Sequence, residues 1–171
     1  FKSQLANGYK YTDDSKELIS KLLTPSYLNI SVGLDYKPNS HVAFYFSPIA
    51  GKLTMVADSA FSFRYGIDRN KYVKPQLGAI FKANANYSFF EDRMTLKSVL
   101  DMFTAYDDSF GNIDVNWDVL IGYNLTKLLT LTMQTTLKYD DDIKTFDADG
   151  TVHGAKVQFK EMVGIGLSYK F

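Results

Sequence analysis

Few side-chain groupings in this 171-residue chain have the types and spacing to do chemistry. Asp140, Asp141 and Asp142 are followed by Asp147 and Asp149, just before Gly150. Calcium takes oxygen ligands, and the stretch D-A-D-G bears a faint likeness to a calcium loop. Asp140, Asp142, Asp147 and Asp149 are therefore candidate metal ligands. The stretch lacks the terminal bidentate Glu and the full ligand spacing, which favours a solvated acidic loop. His41 and His153 are the two histidines. A Ser–His catalytic pair needs both groups within hydrogen-bond reach. Ser40 and Ser47 are nearest His41 in sequence, but neither sits in a distinctive motif. No catalytic residue is assigned, and an enzyme is not expected. The absence of Cys excludes disulfides, thiolate metal sites and thiol catalysis. Nineteen acidic and nineteen basic residues balance, so nothing points to nucleic acid, and no cofactor is implied.

A second grouping is dispersed. Asp35, Lys82, Lys97, Asp101, Asp114, Asp118, Lys138, Lys160 and Lys170 all fall on the polar parity of alternating stretches. They could line a solute path. They could equally fill a narrow lumen as hydrated ion pairs, and the lack of a ring of one sign favours this. A basic run, Arg64, Arg69, Lys71 and Lys74, suits anionic lipid headgroups or a partner, or is simply a solvated loop.

The elements that position these residues read as strands. Val157 to Phe171 has Val157, Phe159, Val163, Ile165, Leu167, Tyr169 and Phe171 on one parity. Gln158, Lys160, Met162, Gly164, Gly166, Ser168 and Lys170 occupy the other. Successive strand side chains point to opposite faces, so this strand has two distinct faces. Its length suits a tilted membrane-spanning strand of at least about 9–11 residues. Glu161, the outlier on the apolar face, falls near the far edge of an apolar band about 25 Å tall. Aromatics make up 15% of the chain, yet mean hydropathy is −0.16. No run of about 18 apolar residues suggests a membrane helix. Alternating lipid-facing and water-facing strands produce that combination.

The pattern recurs over Tyr27–Lys37, His41–Ser47, Leu77–Phe89, Met94–Tyr106, Asn112–Asn124 and Thr126–Tyr139. Phe1–Tyr11 reads as the later part of one more strand. Asp13 to Thr24 could form a helical turn but is too short to be stable alone, and reads as loop. Pro48 weakens or ends its ladder, and Pro48 to Lys74 reads as partial strand continuing beyond the membrane, then loop. The sequence thus predicts an all-β fold, a transmembrane antiparallel up-and-down β-barrel, with eight strands in one domain over residues 1–171. Short links at 37–40, 90–93 and 124–127 fall at one end. Links at 12–26, 48–76, 107–111 and 140–156 fall at the other. Short periplasmic turns and longer outer loops are the rule in outer-membrane barrels. Tyr36, Tyr87, Phe89, Tyr123, Tyr169 and Phe171 would form the inner aromatic girdle, with Tyr139 and Phe159 towards the outer one. His41 would then lie at the inner rim and His153 in an outer loop, too far apart to share a site.

The stretches I-D-V-N-W-D-V-L (Ile113 to Leu120), Y-D-D-D-I (Tyr139 to Ile143), V-Q-F-K-E (Val157 to Glu161) and V-G-I-G-L-S-Y-K-F (Val163 to Phe171) carry a resemblance. L-D-Y-K-P-N (Leu34 to Asn39) and F-S-P-I-A-G-K-L-T (Phe46 to Thr54) add to it. Over nearly its whole length the chain resembles a family of outer-membrane β-barrel proteins of Bacteroidota with no assigned activity. The resemblance implies a signal peptide and about four further amino-terminal strands, hence a barrel of about twelve. It transfers no catalytic residues. The expected location is the outer membrane of a Gram-negative bacterium, carboxyl terminus periplasmic. Expected partners are outer-membrane lipids including lipopolysaccharide, and other outer-membrane proteins. The expected role is a structural or accessory subunit of an outer-membrane assembly. The alternative is a channel or transporter for small solutes, and the least favoured one an outer-membrane enzyme acting on lipid or peptide.

Overall fold

The computed structural model describes residues 2–3, 7–12, 15–143, 145–146 and 152–167. The fold is all-β and antiparallel, with one short 3-10 helix, Ser59–Tyr65. The principal strands are β4 (Ser26–Tyr36), β5 (Val42–Met55), β6 (Val73–Phe89), β7 (Met94–Ala105), β8 (Asp114–Asn124), β9 (Leu129–Tyr139) and β12 (Gln158–Leu167). Together with β1 (Lys2–Ser3) they form one sheet in the order β1-β4-β5-β6-β7-β8-β9-β12. Among the described residues its two end strands do not pair with each other, so the sheet is open. Each strand runs antiparallel to its sequence neighbour in the sheet, as short hairpin links require.

The register sorts side chains onto two faces. Lys82 lies opposite Asp101, Asp101 opposite Asn116, and Asn116 opposite Lys138. Phe81, Met102, Val115 and Tyr139 form the corresponding row of the other parity. Ile80, the apolar exception on the polar parity of its strand, is 5% exposed, in contact with the interior. Among the described residues the buried hydrophobic ones are few: Ala50, Val56, Ile67, Ile80 and Ala105. The most exposed large apolar residues of the strands share the parity opposite the charges. Val32 and Leu34 are each 76% exposed and Ile165 71%. Tyr36, Phe44 and Phe81 stack in sequence across β4, β5 and β6, with centroids 6.5 and 6.2 Å apart.

The sheet is strongly curled. Tyr27 on β4 and Lys138 on β9 are five strands apart, about 24 Å on a flat sheet. The Lys138 ammonium nevertheless stands 5.8 Å from the Tyr27 ring centroid.

Three expectations need correction, and a fourth is sharpened: the ladder weakens at Pro48 but does not end there. Pro48 and Ile49 together oppose Ala79 as a bulge, and β5 continues to Met55. Ser47 is fully buried there, its hydroxyl 2.7 Å from the Val32 carbonyl and 2.8 Å from that of Ile49. That hydroxyl supports carbonyls which the interrupted ladder would otherwise leave short of donors. The 48–76 link is thus strand first and loop after, as expected, with 56–72 lying between the two strands. The stretch read as the end of one strand divides between two sheets. Lys2–Ser3 pairs with β4, whereas β2 (Gly8–Thr12) pairs with β3 (Ser15–Ser20). That pairing puts Ser15–Ser20, part of the loop expected over 12–26, into a strand, because strand pairing satisfies backbone groups that a one-turn helix leaves open. Within 140–156, β10 (Thr145–Phe146) and β11 (Val152–His153) form a short ladder of their own.

Candidate functional site

The candidate site is the long-link end of the polar face. Asp114 opens β8, Asp140 to Asp142 follow β9 directly, and Lys52 and Lys74 lie on β5 and β6. The Lys52 ammonium donates to Asp114 Oδ2 at 2.6 Å and stands 3.9 Å from Asp140 Oδ2. Lys74 donates to Asp142 Oδ1 at 2.6 Å, and Gln76 Nε2 to Asp142 Oδ2 at 3.0 Å. The turn itself is tied down. The Asp141 amide donates to Asp114 Oδ1, and the Asp142 amide to Asp140 Oδ1. Asn112 Nδ2 donates to Asp141 Oδ2 at 2.7 Å. The 3-10 helix also meets this turn. Asp58 accepts from the Ala60 amide at its start, and Gly66 ends it with φ 68°. A Cβ at Gly66 would lie 2.8 Å from the Asp142 carbonyl, so only glycine fits there.

Asp140 is thus not a solvated loop residue, as the sequence suggested: it is 7% exposed. Burial pushes its carboxyl above the usual carboxylate range, against the pull of the Lys52 ammonium. The chain is buried here because the curl carries β5 and β6 over the start of β8.

The structure brings together two of the four candidate metal ligands, Asp140 and Asp142, and adds Asp114 from β8. Asp147 and Asp149 lie outside the described residues. The eight polar residues Asp35, Lys82, Lys97, Asp101, Asp114, Asp118, Lys138 and Lys160 share one face by register. Lys170 lies outside the described residues. Lys82 stands 3.5 Å from Asp101. Asp118 accepts from Thr136 at 2.5 Å and from Asn116 at 3.1 Å. Asp35 pairs with Lys37 at 3.3 Å, near the short-link rim. An open cavity of about 390 Å³ on this face is lined by residues of six strands, among them Tyr27, Asn29, Lys52, Lys82, Asp114 and Lys138.

Of the aromatic girdle, Tyr36, Tyr87, Phe89 and Tyr123 sit at the short-link ends of their strands, and Phe159 near the long-link end of β12. Tyr139 shares their parity, but its hydroxyl donates to Asp141 at 3.2 Å, which turns it towards the acidic turn rather than a headgroup layer. Tyr169 and Phe171 lie outside the described residues. His41 stacks on Tyr87 at 5.1 Å and takes part in a 3.0 Å hydrogen bond with the Asn86 carbonyl, which occupies its Nδ1. Members of the basic run are engaged: Lys71 with Asp68 at 2.6 Å, Lys74 with Asp142, and Arg69 over the Phe63 ring at 5.3 Å.

Sequence reasoning missed Lys52, Gln76 and Tyr27. The bulge at Pro48–Ile49 inverts the parity of β5, so Lys52 faces inward although simple counting from Phe44 and Phe46 places it outward. A proline in an alternating run was the available signal.

Comparison of the chain with protein-family models, curated proteins and solved structures gives no match.

Proposed function

We propose that this chain is an integral outer-membrane β-barrel protein of a Gram-negative bacterium that serves as a structural or accessory subunit of a larger assembly. One observation carries the membrane reading: along the strands the charges, Glu161 apart, share one face, and the most exposed apolar side chains lie on the other. A soluble sheet of this size would bury Val32, Leu34 and Ile165 rather than expose them. Lipid satisfies such a face, and the antiparallel strands satisfy the backbone within it. Placing the short links at 37–41, 90–93 and 125–128 in the periplasm puts the acidic cluster on the outer side, near lipopolysaccharide. The resemblance to barrels of Bacteroidota agrees with this orientation.

The interior favours a subunit over a wide pore. Lys52–Asp114 and Lys138–Tyr27 cross the concave face, and about eight strands give a barrel just wide enough for side chains to fill. Seven antiparallel steps separate β1 from β12, so the two ends have the relative direction that an antiparallel closure needs. The cavity of about 390 Å³ favours the second reading, a channel or transporter for small solutes.

The deciding measurement is the native mass of the full-length protein after gentle detergent extraction. A mass well above one barrel with its detergent, with companions identified by mass spectrometry, supports the subunit reading. A lone barrel with steady conductance in planar bilayers replaces it with the channel.

A further inference from the structure

Gln76 has an oxygen that the surrounding protein does not use. The residue is 8% exposed, and its Nε2 donates to Asp142. Its Oε1 is buried and accepts no hydrogen bond among the described residues. Gln76 lines a void of about 10 Å³ together with Asn112, Asp114, Asp141 and Asp142. That is roughly one probe sphere, the scale of a single water or a dehydrated ion. Beside it, one oxygen from each of Asp114, Asp140 and Asp142 lies within 4.8 Å of the others. Counting Asp141, four carboxylates face three ammonium groups, Lys52, Lys74 and Lys138. The cluster is one positive charge short when ionised, and uncompensated buried charge is costly.

We propose that a divalent hard cation of the calcium class binds where this void meets the acidic triad, held by Gln76 Oε1 with the carboxylates of Asp114, Asp140 and Asp142. All four donors are oxygens, the ligand type of hard cations. They come from β6, from the start of β8 and from the turn after β9. Calcium accepts such irregular, mixed carboxylate and carbonyl shells, whereas magnesium demands near-ideal octahedral geometry. Lys52 and Lys74 keep their bonds to Asp114 Oδ2 and Asp142 Oδ1, and the ion supplies the missing charge. It ties the end of β9 to β6 and β8, and so fixes the 140–142 turn over the mouth of the cavity. The pocket stands on side-chain geometry alone and does not depend on the membrane reading.

The test is calorimetric titration of the full-length, chelator-stripped protein in detergent with calcium chloride, and separately with magnesium chloride. One calcium per chain is expected, with magnesium at least tenfold weaker and a calcium-dependent rise in the unfolding temperature. Gln76→Leu and Asp142→Asn should each weaken calcium at least tenfold, while Gln76→Glu, which keeps an oxygen at the position, should retain it. Absence of both binding heat and thermal shift in the unmutated protein overturns the proposal, the void then holding a water. Full-strength binding by both Gln76→Leu and Asp142→Asn also overturns it. The unmutated measurement stands even where a variant fails to fold.

Discussion

Lys52 and Asp114 are joined at 2.6 Å although two whole strands, β6 and β7, lie between theirs. On a flat sheet their strands would be about 14 Å apart. The pair closes only because the sheet curls over its polar face. Both side chains are largely buried, at 11% and 19% exposure. The interaction is therefore a cross-brace between strands that share no backbone hydrogen bonds.

Lys52→Ala should destabilise the protein by about 3 kcal/mol, because it leaves Asp114 and Asp140 buried without their ammonium. Urea unfolding in lipid vesicles reads the effect. Combining Lys52→Met with Asp114→Asn should recover part of the loss, with a coupling energy of about 1 kcal/mol or more. Strict additivity of the two substitutions would show that the brace contributes nothing.

Gly33 faces the bulge of β5. A Cβ there would sit 2.2 Å from the Phe46 carbonyl oxygen and 2.7 Å from the Ser47 Cα, both backbone atoms that cannot swing aside. Gly33→Ala should cost about 1–3 kcal/mol through forced backbone shifts. Gly51, where the nearest atom is at 3.9 Å, provides the control. Gly51→Ala should be close to neutral in the same unfolding assay, and equal effects at the two positions would refute the bulge contact.

The faces of the sheet were legible because strand periodicity is local. Ala79, Phe81 and Ala83 alternate with Lys82 and Asn84, and nothing in β6 interrupts the count. The cluster was not legible for two reasons. Pro48 and Ile49 insert one extra residue and flip every later side chain of β5, so Lys52 changes face. The approach of Asp114 to Asp140 and Asp142 depends on the register of β8 against β9 and on the curl of the whole sheet, which no local pattern encodes. The β2–β3 hairpin was hidden differently. Leu18 and Leu22 fit a helical spacing as well as they fit a strand, and pairing of Leu18 with Tyr9 decides between them.

Asp58 caps the 3-10 helix and accepts from Lys21 Nζ at 2.6 Å and from the Ala60 amide at 3.0 Å. These bonds, the Lys21 one first, hold its carboxyl below the ordinary carboxylate value. A depressed folded-state value means that its contribution to stability is present above the unfolded value of about 3.9 and is lost as pH falls through the folded one. Carboxyl-resolved NMR titration should give a midpoint below 3.8, and Lys21→Met should raise it. An unchanged midpoint in Lys21→Met would remove the ammonium as the cause.

Val163 lies mid-strand on the apolar face of β12 and is 68% exposed, whereas Val157 lies just before the strand on the same parity and is 61% exposed. In water alone the two positions are equivalent, and arginine at either should change stability by no more than about 0.5 kcal/mol. In a bilayer they differ by depth. Arginine costs about 2–4 kcal/mol near the midplane and about 0–1 near the interface. Val163→Arg should therefore destabilise the protein in phosphatidylcholine vesicles by about 2 kcal/mol more than Val157→Arg. Thinner bilayers should narrow the gap, because they bring the Val163 depth closer to water. Equal, small effects at both positions would mean that this face does not contact lipid, and the exposed apolar surface would then require a protein partner instead.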